Sequence, residues 1–474
     1  MRELTRKRCP LSNVKLRFQE LQKMAHVSAA ARVGVSTRAR TQLRPPARVS
    51  VHAMRPRATS AAAGAEPGGE DSNAAKKPRV VIAGAGIIGS SIAYHLAVNH
   101  GYASTLVDKV GPGAAASGKA AGFLALDWCD GGPLAPLARA SFPMHERLAK
   151  DLDIESHYRR VTCESVTVDE TLVGGNGATA ERRKLENVQW ADVGAVASRA
   201  MGDETTVAQV HPKRLVEAFL RRARELVGSD VVVGDATEIV YDDRDESIHP
   251  GEENKNKSDD QNAHKTKTKK CVGLRVDGVV MPADVVIVAT GPWTNRLLPP
   301  SAIGGEVIGQ KYHAVRIRPG RVLSQAVFFQ GLGDPEFYPR PDGDVYVCAY
   351  PDAPGVVTEE PGRVEVRPEA VRRLENVARA LCSEMRDPAE APAARDEETG
   401  AKGQSCHLPV TADGAPIMGK VPGTENVYVA TGHSCWGILN APASGAAMAE
   451  LVADGSVTVV RGFERFAPRG DGDA

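Results

Sequence analysis

A chain of 474 residues, 42% hydrophobic and 25% charged, is long enough for two or more domains with substantial cores. It holds no apolar run approaching the ~20 residues needed to cross a bilayer, which excludes a membrane span. Its 59 Lys and Arg balance 59 Asp and Glu, yet residues 1–78 carry 16 of the former against 5 of the latter, net +11, leaving −11 on residues 79–474; so acidic a body excludes nucleic acid as a general partner, because phosphate neutralisation needs a basic face.

The basic leader comes first. Between Met24 and Ala65 stand Arg32, Arg38, Arg40, Arg44, Arg48, Arg55 and Arg57, many Ala and Ser, and no Asp or Glu. That is organelle transit-peptide composition, and its Ala, Ser and Val content favours a chloroplast over a mitochondrion. Residues 1–23, with Glu3 and Glu20, fit less well, which makes Met24 a candidate start of translation. The eight cysteines show no CxxC pair and no Cys/His spacing suited to zinc, so they read as free thiols and no metal site is expected.

The run Arg79-Val-Val-Ile-Ala-Gly84-Ala-Gly86-Ile-Ile-Gly89, followed by Thr105-Leu-Val-Asp108, spells strand, glycine turn, helix, strand, acid. Gly84 permits the tight turn, Gly86 lets the backbone approach a pyrophosphate, and Gly89 lets the helix pack close to the sheet. Ile88, Ile92 and Leu96 recur at helical spacing. The helix N-terminus then favours an anion, and Asp108 is placed to accept hydrogen bonds from a ribose. By itself this dinucleotide fingerprint leaves NAD and FAD open.

A loop of small residues follows, Gly111 to Gly122 with Ser117, Gly118 and Lys119, suited to something bulky approaching its backbone. A helix opens at Pro212 with Val216, Phe219, Leu220, Ala223 and Val227 on one face, then a strand ends at Val233. Segments 243–270 and 388–403 are too poor in apolar residues to order themselves and read as disordered insertions, the first at a hairpin tip. The buried strand in Ala283–Ala289 ends in a turn at Gly291, where a sheet would meet a cofactor. Strand-like segments 311–318, 322–329 and 344–350 then suggest a second sheet, with a hairpin turn at Asp342-Gly343.

The C-terminal run Leu408-Pro-Val-Thr-Ala-Asp413-Gly414, then Gly432-His433-Ser-Cys-Trp436-Gly437-Ile438-Leu439-Asn-Ala-Pro442, decides between cofactors. Together with the N-terminal fingerprint it closely resembles the D-amino-acid oxidase, glycine oxidase and sarcosine oxidase (DAO) family of FAD-dependent oxidoreductases, in an uncharacterised branch, over about residues 79–455. The resemblance implies an α/β fold: a Rossmann-type FAD-binding domain with a parallel sheet (77–135, 205–300 and 405–460), interleaved with a mainly antiparallel substrate domain (136–204 and 301–404), after a leader of residues 1–76.

It also implies site residues. Gly84, Gly86 and Gly89 would hold the pyrophosphate and Asp108 the ribose; Ser117, Gly118 and Gly122 would contact pyrophosphate and isoalloxazine. Val233 would offer backbone groups to the adenine, and Gly432, His433, Gly437, Ile438 and Leu439 would line the ribityl chain and ring. A helix beginning near Pro442 would aim its N-terminus at the flavin's N1/C2=O, where negative charge appears on reduction.

Two departures from the family pattern bear on substrate. Where the glycine-oxidase branch carries an arginine for the substrate carboxylate, this chain has Leu408, so the bidentate clamp is missing. Lys119, Arg340 and His313 are the alternative anion anchors, though each reads more readily as a solvated or structural charge; Trp128, Trp293 and Trp436 are candidates for the substrate face or the core. Cys406 stands seven residues before Asp413, the offset at which the monomeric sarcosine-oxidase branch attaches its flavin covalently, and is otherwise a small buried hydrophobe.

The expected activity is removal of hydride from a C–H beside an amine nitrogen of an amine or amino-acid-like substrate, with dioxygen as acceptor and hydrogen peroxide as product. No proton-transfer residue is assigned. A dehydrogenase with another acceptor, and a flavin-fold regulatory or trafficking protein without turnover, remain alternatives.

Overall fold

In the computed structural model, residues 77–174, 181–242, 268–389, 392–393 and 402–470 are described. The leader and its organelle address lie outside them, as do most of the two polar insertions.

The strand Val80–Ala83 is apolar throughout, and its alternating side chains enter two cores: Val80 and Ile82 one, Val81 and Ala83 the other. A strand buried on both faces belongs inside a parallel sheet. The six-stranded sheet runs in the order Ile417–Lys420, Val427–Thr431, Val285–Val288, Val80–Ala83, Ser104–Asp108, Asp230–Val233, parallel except for the hairpin of its first two strands. Helices Ile87–His95, Pro212–Val227 and Gly437–Asp454 fill the core on one face. An antiparallel three-stranded sheet, Ala236–Tyr241, Cys271–Val276 and Val279–Pro282, covers the other. Its first two strands pair, and the Asp242 N–H donates to the Lys270 carbonyl at 2.9 Å, so the first polar insertion interrupts a hairpin tip as expected.

The last helix begins at Gly437, five residues before the expected start near Pro442, and Pro442 lies inside it. A proline there lacks its N–H and disturbs the helical ladder. Neighbours compensate: His145 Nε2 donates to the Leu439 carbonyl at 3.0 Å, the Ala443 N–H donates to Ser141 Oγ at 3.1 Å, and Ser91 Oγ–H donates to the Ala441 carbonyl at 2.8 Å. Burial holds the pKa of His145 down to about 4, so at neutral pH it is the neutral imidazole.

A seven-stranded sheet orders strands Gly403–Val410, Ile308–Ile317, Val345–Ala349, Glu336–Pro339, Gln325–Gln330, Thr162–Val168 and Ala195–Gly202, antiparallel except between Gln325–Gln330 and Thr162–Val168. The Asp342-Gly343 turn closes its hairpin, with the Arg340 N–H donating to the Asp344 carbonyl at 2.7 Å and Gly343 at φ +91°. Residues 405–410, expected in the cofactor domain, belong to this second sheet because the whole strand pairs with Ile308–Ile317. Helix Pro368–Leu381 backs one face, over Phe329 and Phe337. Phe328, Tyr338, Tyr346 and Cys348 on the opposite face meet Phe123 and Trp128. Among the described residues no helix is long and apolar enough to cross a membrane.

Candidate cofactor cleft

The glycine turn is built by close backbone approach. Gly84 sits at φ +105°, and a Cβ there would lie 2.4 Å from the Ala289 carbonyl oxygen; a Cβ on Gly89 would lie 2.0 Å from that of Gly84. These two glycines hold strand, turn and helix together. Gly86 differs: its nearest obstruction is Ser117 Oγ at 3.1 Å, which accepts from the Ile87 N–H at 2.9 Å. The helix N-terminus and the small-residue loop therefore form one wall of a cleft.

Asp108, at the end of the second strand, accepts from three backbone N–H groups: Ala85 at 2.9 Å through Oδ2, and Val110 at 3.0 Å and Gly111 at 2.9 Å through Oδ1. A carboxylate has about four lone-pair sites, so it still has capacity for a ribose hydroxyl.

Of the expected site residues, Gly84, Gly86, Asp108, Ser117, Gly291, Leu408, His433, Gly437 and Ile438 line this cleft, and so does Trp293. A Cβ on Gly291 would meet nothing within 4 Å, leaving the floor open. His433 is buried; its Nε2 lies 3.0 Å from Ser444 Oγ, its Nδ1 has no partner among the described residues, and burial pushes its pKa down to about 3. A glycine turn, a helix N-terminus, an acid and a neutral histidine with one unsatisfied nitrogen fit a dinucleotide cofactor.

Other expected residues are placed elsewhere. Val233 does not line the cleft and is 63% exposed; the strand ends there, and the Gly234 N–H donates to the Asp108 carbonyl at 3.0 Å, which brings Gly234, Asp235 and Ala236 to the cleft instead. Leu439 turns into the core because its helix has already begun at Gly437. Gly89, Gly118, Gly122 and Gly432 shape the turns around the cleft without lining it. His313 does not line the cleft: it is 2% exposed, and its Nε2 accepts from the Arg367 N–H at 3.1 Å. Lys119 and Arg340 are brought together, but in a second cavity outside the cleft. Trp436 stacks edge-on against Trp128 at 6.4 Å. Cys406 is 5% exposed and away from the cleft lining, its thiol pushed up to about 11 by burial.

Sequence reasoning missed the rim. Lys109 Nζ lies 2.6 Å from both Asp235 and Glu360, Arg296 Nη1 lies 3.0 Å from Glu360, and Trp293 Nε1 donates to the Glu359 carbonyl at 2.8 Å. Residues 359–361 thus strap the cleft. Surface charges separated by 64 to 251 residues carry no spacing signal that would have found them.

A family pattern described as FAD dependent oxidoreductase (DAO) matches residues 79–451. The chain is 30% identical over 403 residues to a Schizosaccharomyces pombe protein named as an oxidoreductase, covering 80% of this chain and 95% of that one. Among solved structures it is similar to glycine oxidase from Geobacillus kaustophilus (TM-score 0.60, 23% identity, 83% of this chain and 98% of the other). It is also similar to L-proline dehydrogenase from P. horikoshii (TM-score 0.58, 14% identity, 83% and 97%). These two likenesses show a shared fold.

Proposed function

Because the chain belongs to the DAO family of FAD-dependent oxidoreductases, we propose that it oxidises a secondary or cyclic amine, or an amino-acid-like compound of low negative charge, at the C–H next to nitrogen. The product is an imine, which water hydrolyses. FAD when bound supplies the hydride acceptor. Gly84, Gly86, Ile87 and Ser117 would hold its pyrophosphate, Asp108 its ribose, and Gly291, His433, Gly437 and Ile438 the remainder. The N-terminal N–H groups of helix Gly437–Asp454 would stabilise negative charge on the reduced flavin. Positioning carries the catalysis, since a neutral amine donates its own lone pair.

The observation that carries the substrate class is Leu408 in the cleft wall. An apolar side chain there leaves a substrate carboxylate without a partner, and burying an unpaired carboxylate costs several kcal/mol. Dioxygen is the proposed acceptor. Turnover of a panel of secondary and cyclic amines, followed by peroxide formation, tests both points. Flavin reduction without reoxidation by air would replace the oxidase with a dehydrogenase, and no reduction by any amine would favour a non-catalytic role. We further propose that residues 24–65 direct the protein to a plastid; a fluorescent fusion of that segment that stays cytosolic would overturn this.

A further inference from the structure

Behind the loop that walls the cofactor cleft lies a second, polar cavity of about 60 Å³; Gly113 and Ala114 line both. Lys119, Lys213, Arg214, Arg316 and Arg340 converge on it, with His211 at its edge. The chain brings these cations together from the small-residue loop, the start of helix Pro212–Val227, and one strand and a hairpin turn of the seven-stranded sheet.

The nearby carboxylates are already engaged. Asp342 lies 3.3 Å from His211 Nε2, Asp344 lies 3.3 Å from Arg316 and 2.6 Å from Arg318, and Glu217 lies 2.9 Å from Arg214. Arg340 and Lys119 have no carboxylate within ion-pair distance among the described residues. Arg340 is only 2% exposed; its Nη2 donates to the Ala120 carbonyl at 2.6 Å and its guanidinium lies 5.3 Å from the centre of the Tyr346 ring, but its Nε–H has no partner among the described residues. Lys119 Nζ has one long contact, 3.4 Å to the Ser405 carbonyl. Asp342 and Asp344 act on Arg340 only from beyond ion-pair distance, so its desolvated Nε–H is left without an acceptor, and an anion would supply one. The backbone N–H groups at the start of helix Pro212–Val227 favour the same charge.

We propose that this cavity binds a tetrahedral oxyanion of the phosphate class, held by Arg340 and Lys119 at the mouth of the helix. Its size suits one phosphoryl group and not a nucleotide, so the ligand is free phosphate or a small phosphomonoester. Because the same loop carries Ser117 into the cofactor cleft, occupancy also braces the pyrophosphate wall.

Calorimetric titration of the FAD-loaded protein with inorganic phosphate and, separately, with glycerol phosphate tests this. Saturable binding of either probe is expected, weakened roughly tenfold or more by Arg340→Met, as loss of a charge-assisted hydrogen bond predicts. Should Arg340→Met fail to fold, Lys119→Met, at a partly exposed side chain, gives the same comparison. Tighter binding of phosphate assigns the free ion, and tighter binding of glycerol phosphate an esterified ligand; both uphold the site. No saturable binding of either probe at millimolar concentration, or binding that neither variant weakens, overturns it.

Discussion

Asp108 Oδ2 accepts from the Ala85 N–H at 2.9 Å, tying the end of the second strand to the glycine turn that follows the first. The acid expected to serve a ribose therefore also holds the turn that receives the pyrophosphate. Asp108→Asn replaces one acceptor by an NH₂ group, and since both oxygens already accept backbone N–H groups, either amide orientation sets donor against donor. A loss of about 1–3 kcal/mol is expected, read as a roughly five- to 150-fold weaker FAD affinity when the apoprotein is titrated with cofactor.

Gly86 and Gly89 separate cofactor loss from fold loss. A Cβ at 86 meets only the Ser117 hydroxyl, at the wall of the cleft, so Gly86→Val is expected to yield folded, colourless protein. Gly89→Ala drives a methyl to within 2.0 Å of the Gly84 carbonyl, inside a packed core, and is expected to lower the melting temperature as well. Circular dichroism melts and flavin absorbance of the two variants make the comparison.

The features legible in the sequence were those with local periodicity or steric necessity. Val80–Ala83, the Gly84–Gly89 turn, Asp108 and the helix at Pro212 all announce themselves within a short window. Leu439 reads as lying ahead of the helix because a proline is an ordinary helix opener, and nothing local says that His145, Ser141 and Ser91 satisfy a helix carrying Pro442 inside it. Residues 405–410 read locally as part of the cofactor domain, because their strand pairing with Ile308–Ile317 is a long-range choice. Arg340 and Lys119 stand in the sequence as candidate anion anchors or structural charges, and only the fold places them together behind the loop.

Leu408→Arg tests the apolar wall. A guanidinium there restores a bidentate partner for a carboxylate, so flavin reduction by glycine or N-methylglycine is expected to gain affinity while turnover of the native, less anionic substrate falls. Submillimolar affinity of the unmodified enzyme for glycine would show that another cation makes the clamp.

The rim strap is expected to loosen in acid. Hydrogen bonds from Arg296 and Lys109 hold the Glu360 carboxyl down from 4.5 to about 2. A depressed acid contributes closure that is fully present above 4.5 and lost as pH falls through about 2. FAD should therefore dissociate faster from Glu360→Gln than from the unmodified protein at neutral pH, with the difference vanishing towards the acid limit. Because these groups are partly exposed, added salt should narrow it too. An unchanged dissociation rate in the variant would remove the strap from cofactor retention.

The visible spectrum of the purified protein, recorded under anaerobic conditions before and after addition of a cyclic secondary amine, tests the central claim most directly. Flavin absorption bands that bleach on adding the amine are expected, with the flavin released into the supernatant on acid precipitation, since Cys406 is buried away from the cleft lining. A protein that binds no flavin, or whose flavin no amine of a broad panel can bleach, would contradict it.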